Sequence, residues 1–236
     1  RLVEEVLKKE VFSKDIPFVF SSATLSQGGD FSYLANSLGI ESYDSFSVDS
    51  PFDYAEQMKL YGHIEETKED KWLTIQKQME QNIGSSLVLF STVEEMDEFR
   101  SWANGRSWPF DMYFEGEQEI SVTVKAFQEN KQSVLCAYHL WEGLDIPGEA
   151  LTQVIIASLP FPPKDPVFKA KRKHALDPEK EVDGPYMLLR LRQGIGRLIR
   201  TSNDYGAVHI WMKNEEREKY EEVINGVVPV AMRWNS

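Results

Sequence analysis

The sequence predicts an α/β fold: a mostly parallel sheet with helices on both faces. Three observations carry that prediction. Short apolar runs at residues 86–90, 133–137, 153–157 and 206–211 lack the polar alternation of a half-exposed strand, so each reads as buried on both faces. Between and around them lie stretches with helical spacing of apolar residues, at 67–83, 93–103 and 120–129. Strands alternating with helices give a parallel sheet covered on both sides. The chain has 236 residues, of which 42% are hydrophobic, enough to fill two such layers.

Taken in order, residues 2–12 have helical spacing through Leu2, Val3, Val6, Leu7 and Val11. Residues 16–21 read as a buried strand running into Ser22-Ala-Thr-Leu25, with Gly28 and Gly29 marking a loop. A short helix over 31–38 is stopped by Gly39, and 41–57 is a polar, irregular connector around Pro51. A strand is expected at 58–62, then the helix 67–83 ended by Gly84. The alternation follows: strand 86–90, helix 93–103, strand 110–114, helix 120–129, strand 133–137 and strand 153–157. A Pro-rich stretch, 160–166, opens a long basic connection to a helix that starts at Pro185. Strand 206–211 and a charged helix at 214–223 complete the chain, which shows no internal repeat.

Composition narrows the function. Cys136 is the sole cysteine, so no intrachain disulfide framework and no Cys-only metal or iron–sulfur site exists within this chain, and a reducing compartment is expected. No apolar run approaches the ~18 residues of a membrane span. The chain starts at Arg1 in helix-like sequence, which reads as a piece of a longer protein. Net charge is −12, against non-specific adhesion to nucleic acid. The distribution softens that objection: residues 164–174 hold Lys164, Lys169, Lys171, Arg172 and Lys173 against Asp165. His63, His139, His174 and His209 have no metal-ligand spacing, and no Gly-Lys-Ser/Thr phosphate loop occurs.

The chemistry concentrates at residues 185–201, which carry four arginines and no acid. Gln193, Arg197 and Arg200 fall at i, i+4 and i+7 and so return to one face of a helix over 185–201. Gly194 and Gly196 each cost roughly 1 kcal/mol in a helix interior, so close approach of a backbone or ligand is expected there. Two guanidinium groups beside an amide suit a phosphate chain; an ordinary helix with solvated arginines is the other reading. In Trp141-Glu-Gly-Leu-Asp-Ile-Pro-Gly148, Asp145 either accepts a sugar hydroxyl or caps a turn. Ser22 and Thr24 relay hydrogen bonds to a ligand or cap the next helix. Ser91 and Thr92 likewise grip backbone phosphates or cap the helix at Val93. Trp102, Trp108 and Trp234 read as packing residues. Lys169 to Lys173 read as part of a basic, solvated loop.

In this order and spacing the segments resemble the second half of a superfamily 2 helicase, and most closely the DinG branch, relatives of the XPD-type DNA helicases. Ser22-Ala-Thr24 resembles motif III, residues 87–92 motif IV, 141–148 motif V, and Gln193-Gly-Ile-Gly-Arg-Leu-Ile-Arg200 motif VI. Ser50-Pro-Phe-Asp-Tyr54, Leu159-Pro-Phe161 and Asp165-Pro166 extend the match over nearly the whole chain. The resemblance implies a RecA-like fold over 58–236, with 1–57 a segment holding the motif III strand and a connector. It implies Arg200 as the arginine finger on the γ-phosphate of ATP, with Gln193 and Arg197 as helpers and Gly143 and Asp145 on the nucleotide side. Ser22 and Thr24 become coupling positions. Ser91, Thr92, Trp141, Glu142, Lys169, Lys171 and Arg172 become contacts to single-stranded DNA. ATP with Mg2+ would be shared with an N-terminal RecA-like domain, no metal ligand lying in this chain. The implied activity is ATP-driven translocation and unwinding in the bacterial cytosol, in DNA repair and replication, with this chain alone inactive. Two alternatives stand beside it: a regulatory DNA-binding module of an exonuclease-fused DinG protein, and a non-catalytic α/β interaction module.

Overall fold

The computed structural model describes residues 3–14, 16–21, 30–47, 50–141 and 151–234. The N-terminal part holds α1 (Val3–Leu7), continued by a π-helical turn at Lys8–Phe12, then α2 (Ser32–Leu38) and α3 (Tyr54–Gln57). Next come β1 (Met58–Ile64), α4 (Lys68–Gln81), β2 (Ser85–Leu89), α5 (Val93–Ala103), β3 (Asp111–Phe114), α6 (Ile120–Glu129) and β4 (Ser133–Ala137). The last third holds β5 (Leu151–Ile156), α7 (Pro166–His174), a π-helical turn at Glu179–Asp183, α8 (Gly184–Ile195), β6 (Gly206–Met212), α9 (Asn214–Asn225) and β7 (Arg233–Trp234).

The strands form one sheet in the order β3-β4-β2-β5-β6-β1-β7, parallel throughout. The alternation of side chains along each strand divides the core in two. Leu87, Leu89, Leu135, Val154, Ile156, Val208 and Ile210 face α6, α8 and α9, meeting Val124, Phe127, Met187, Leu191 and Ile224. Val88, Phe90, Val134, Cys136, Ile155 and Trp211 face α4 and α5, meeting Trp72, Ile75, Met79, Met96 and Phe99. Each fully buried side chain of this kind contributes roughly 1.5–3 kcal/mol. Both faces being dry explains why the strands read as continuous apolar runs.

Three expectations change. Residues 16–21 form no strand: among the described residues nothing pairs with them, and Val19 is 91% exposed. An apolar run becomes a strand only where a sheet edge receives it, and the edges here are β3 and β7. Phe18 and Phe20 instead sit edge-on to Phe12, with centroids at 5.1 and 6.3 Å. The basic connection contains a helix, α7, whose first turn is capped by Asp165 Oδ1 accepting from Phe168 N at 2.8 Å, with Pro166 at its start. The Pro185 helix stops at Ile195 rather than continuing to Thr201. Its last turn tightens, with Arg197 N donating to Gly194 O and Leu198 N to Ile195 O at 3.1 and 3.2 Å.

On the α4 side of the sheet, β1 and β6 hold a ring stack of Tyr61, His209, His63 and Trp211, with centroids 5.2, 5.1 and 4.8 Å apart. His63 Nε2 lies 2.9 Å from His209 Nδ1. Gln78 Nε2 approaches His63 Nε2 at 3.2 Å, and Gln153 Nε2 approaches His209 Nε2 at 3.4 Å. Burial disfavours the imidazolium forms, lowering His63 to about 4, and lowering His209 to about 3 with help from His63. An unfolded histidine titrates near ~6.5, so between that pH and the folded values the unfolded chain binds more protons. The pair therefore stabilises the fold fully above that pH and loses its contribution as pH falls. Urea unfolding at pH 7.5 and pH 4.5 should differ by about 3 kcal/mol or more from this source. The double variant His63→Gln and His209→Gln should flatten that interval. An unchanged slope would show that other groups set the acid limit.

Candidate functional site

In a parallel sheet the loops beyond the strand carboxyl ends are where ligands meet backbone and side-chain donors. Here the ends of β2, β4 and β5 lie side by side. At the end of β2, Thr92 Oγ1 accepts from Glu95 N at 3.2 Å and caps α5. Ser91 Oγ lies 2.7 Å from Ser158 Oγ and bonds to the carbonyls of Ser158 and Leu159 at 3.1 and 3.2 Å. Both hydroxyls are thus engaged within the chain: Thr92 holds a helix and Ser91 stitches β2 to β5.

Beneath this loop lies a buried ionic cluster that the sequence reading missed. Lys71 of α4 is 1% exposed. Its Nζ donates to Glu65 Oε2 at 2.5 Å, Glu95 Oε1 at 3.0 Å and Ala157 O at 3.0 Å. It also sits 4.5 Å from the centre of the Trp72 ring. The other oxygen of Glu95 accepts from Ser158 Oγ at 2.7 Å and Ser91 N at 3.3 Å. One lysine therefore joins the ends of β1, β2 and β5. The signal was present: Lys71 shares the inward face of α4 with Trp72, Ile75 and Met79.

At the end of β4, Glu115 Oε2 accepts from Tyr138 N and His139 N at 2.7 and 3.0 Å, and its Oε1 lies 3.0 Å from His139 Nδ1. Trp141 follows, 2% exposed, with Nε1 donating to Phe90 O at 3.2 Å. Glu142, Gly143 and Asp145 lie outside the described residues, as do Ser22 and Thr24.

The end of α8 packs onto this tryptophan. A Cβ on Gly194 would lie 3.0 Å from Cε3 and Cζ3 of the Trp141 indole and 3.2 Å from Leu89 Cδ1. The close approach that the glycine permits is to an aromatic ring of the motif V segment. Arg197 is buried, and its Nε donates to Trp141 O at 3.0 Å. Asp204 Oδ2 accepts from Arg200 N and Thr201 N at 2.8 and 2.7 Å. Gln57 Nε2 donates to the carbonyls of Thr201 and Asp204 at 2.9 and 2.8 Å. Arg200 is half-buried, and burial lowers its pKa while Asp204 acts the other way. Gln193, also half-buried, sits in the last turn of α8. With the helix ended at Ile195, Gln193, Arg197 and Arg200 do not share one helix face, which corrects the i, i+4, i+7 reading.

The model for the helicase C-terminal domain matches residues 75–229. The chain belongs to that family. A probable ATP-dependent helicase of Bacillus subtilis strain 168, YpvA, is 53% identical over 233 residues, covering 98% of this chain and 36% of that protein. The 3'-5' exonuclease DinG of the same organism is 27% identical, over 96% of this chain and 27% of that protein. The solved XPD helicase superposes with a TM-score of 0.70 at 18% identity, over 98% of this chain and 45% of that one, a likeness of fold. This is a DinG-like superfamily 2 helicase C-terminal domain with a RecA-like fold. It spans about a third of the length of the curated relatives it matches.

Within the helicase domain the remaining sequence-expected residues fall apart in character. Trp141 is a core side chain, contrary to the expected contact with nucleic acid, because its indole fills the space over Gly194. Arg172 is a strut, with Nε donating to Asp183 Oδ1 at 2.8 Å and a terminal nitrogen donating to Pro162 O at 3.3 Å. Lys164, Lys169 and Lys173 are exposed on and beside α7, and Lys171 lies against Phe168. The guanidinium and amide donors at the end of α8 are of a chemistry that suits a multiply charged oxyanion. Among the described residues no group of three or more His, Cys, Asp or Glu could hold Mg2+. Among them, too, no helix is long and apolar enough to cross a membrane.

Proposed function

We propose that this chain is one motor half of an ATP-dependent DNA helicase, coupling ATP hydrolysis to movement along single-stranded DNA. The observation that supports the reading best is the meeting of motif V and motif VI at the strand ends, through Arg197 Nε and the carbonyl of Trp141. When bound, ATP supplies the phosphoryl group whose transfer drives movement. Arg200 acts as the arginine finger, placing positive charge where negative charge develops on the γ-phosphate. Arg197 positions the motif V segment, and Gln193 orients the phosphate side. Gly143 and Asp145 serve the nucleotide, with Ser22 and Thr24 in coupling. The Walker lysine and the Mg2+ carboxylates belong to a preceding RecA-like domain, and the exposed apolar run at 16–20 is a surface suited to that neighbour. DNA passes over the motif IV loop at Ser91 and Thr92, the segment at Glu142, and α7. There Lys169 and Lys171, with Lys164 and Lys173, neutralise phosphates, and Arg172 holds the helix in place through Asp183 and Pro162. The site of action is the bacterial cytosol.

A second reading, a DNA-binding module attached to an exonuclease, draws on the 27% identical relative of that name. Steady-state ATP hydrolysis by the full-length protein separates the two. Single-stranded DNA should raise the turnover of a translocating motor by about tenfold or more. Turnover indifferent to DNA would favour the binding module.

A further inference from the structure

Trp141 touches three elements that the proposed function assigns to different tasks. Its indole N–H donates to Phe90 O, the last carbonyl before the Ser91–Thr92 loop, at 3.2 Å. Its ring lies where a Cβ on Gly194 would be 3.0 Å away, so it rests on the backbone of α8. Its own carbonyl accepts from Arg197 Nε at 3.0 Å, three residues before Arg200. Phe90, Trp141 and Arg197 are all buried, at 0%, 2% and 7% exposure. We propose that Trp141 is a coupling residue: a rigid rivet that makes the DNA-side loop after β2 and the phosphate-side arginines after α8 move as one body. It is a positioning residue, and the inference rests on the helicase reading above.

The physical case is the lack of slack. An indole has two side-chain torsions, and here both its face and its N–H are fixed. Close-packed interiors transmit displacement because they do not deform continuously. If DNA shifts residues 91–92, the Phe90 carbonyl moves, the indole follows, and the Trp141 carbonyl draws Arg197 with it. Phenylalanine at 141 would keep an aromatic ring over Gly194 and lose the bond to Phe90. Alanine at 194 would keep that donor and push the ring by a few tenths of an ångström. The two changes cut the same linkage from opposite sides.

The test uses the full-length protein with Trp141→Phe and Gly194→Ala. The ratio of DNA-stimulated to DNA-free kcat, measured with oligo-dT, should fall about tenfold or more in both, the scale that slight misplacement of a catalytic group carries. The KM for ATP should stay within about threefold, since no phosphate contact is removed. Hydrogen exchange at amides 197–201 should quicken in Trp141→Phe while β4 stays protected. A ratio within about threefold of wild type in both variants overturns the proposal. If the wild-type protein shows no stimulation by DNA, the helicase reading fails. The exchange result then decides the linkage alone: faster exchange at 197–201 supports it, and unchanged exchange overturns it.

Discussion

Replacing Arg200 by alanine in the full-length protein should lower kcat for ATP hydrolysis by ~10³–10⁵, about 4–7 kcal/mol of transition-state stabilisation. Affinity for single-stranded DNA should change by less than about threefold, because the finger acts on charge that develops during phosphoryl transfer. The structure distinguishes the two motif VI arginines. Arg197 is buried, and its Nε is committed to the carbonyl of Trp141. Arg200 lies beyond the helix end on a loop pinned by Asp204 and Gln57, half-buried. Arg197→Ala should therefore cost stability as well as activity, because the buried Trp141 carbonyl loses its donor, whereas Arg200→Ala should leave the melting temperature within about 3 °C. Parallel loss of ATPase and DNA binding in Arg200→Ala would contradict the assignment.

Lys71→Met should destabilise the domain by about 3–5 kcal/mol, the cost of leaving buried carboxylates without their cation. Glu65 and Glu95 are mostly buried beside it, and the carbonyl of Ala157 would lose a donor. Methionine keeps the apolar length of the stem against Trp72, so the loss reports charge rather than volume. Urea titration at neutral pH measures the effect. Adding Glu95→Gln to Lys71→Met should recover part of it, since one uncompensated charge disappears. A single-variant cost below about 1 kcal/mol would mean that the lysine merely fills space.

The sheet was legible because a strand buried on both faces leaves a continuous apolar run. The sequence bounds of α5 and α6 match the structure, and so does β4. Thr92 with Glu94 and Glu95 marks a helix start in local chemistry alone. What was lost depended on distant partners. Residues 16–21 have strand composition and no edge to join. Asp165 and Pro166 announced α7, yet the density of lysines behind them read as a loop. Gly194 and Gly196 read as points of close approach to a backbone or a ligand, while the structure seats an indole against one and ends the helix at the other. Lys71 went unremarked because a lysine's usual place is water, and only its shared face with Trp72, Ile75 and Met79 marked it as inward. Motif order pointed to the right family, and it placed Arg197 beside the nucleotide. It did not show that this arginine holds the Trp141 carbonyl, a contact between residues 56 positions apart.

Under the proposed function this domain holds only part of an ATP site. The most direct measurement is steady-state ATP turnover by residues 1–236 alone, set beside the full-length protein at equal concentration with single-stranded DNA present. Turnover is expected from the full-length protein and none above background from the domain. Robust turnover by the domain alone, abolished by Arg200→Ala, would contradict it.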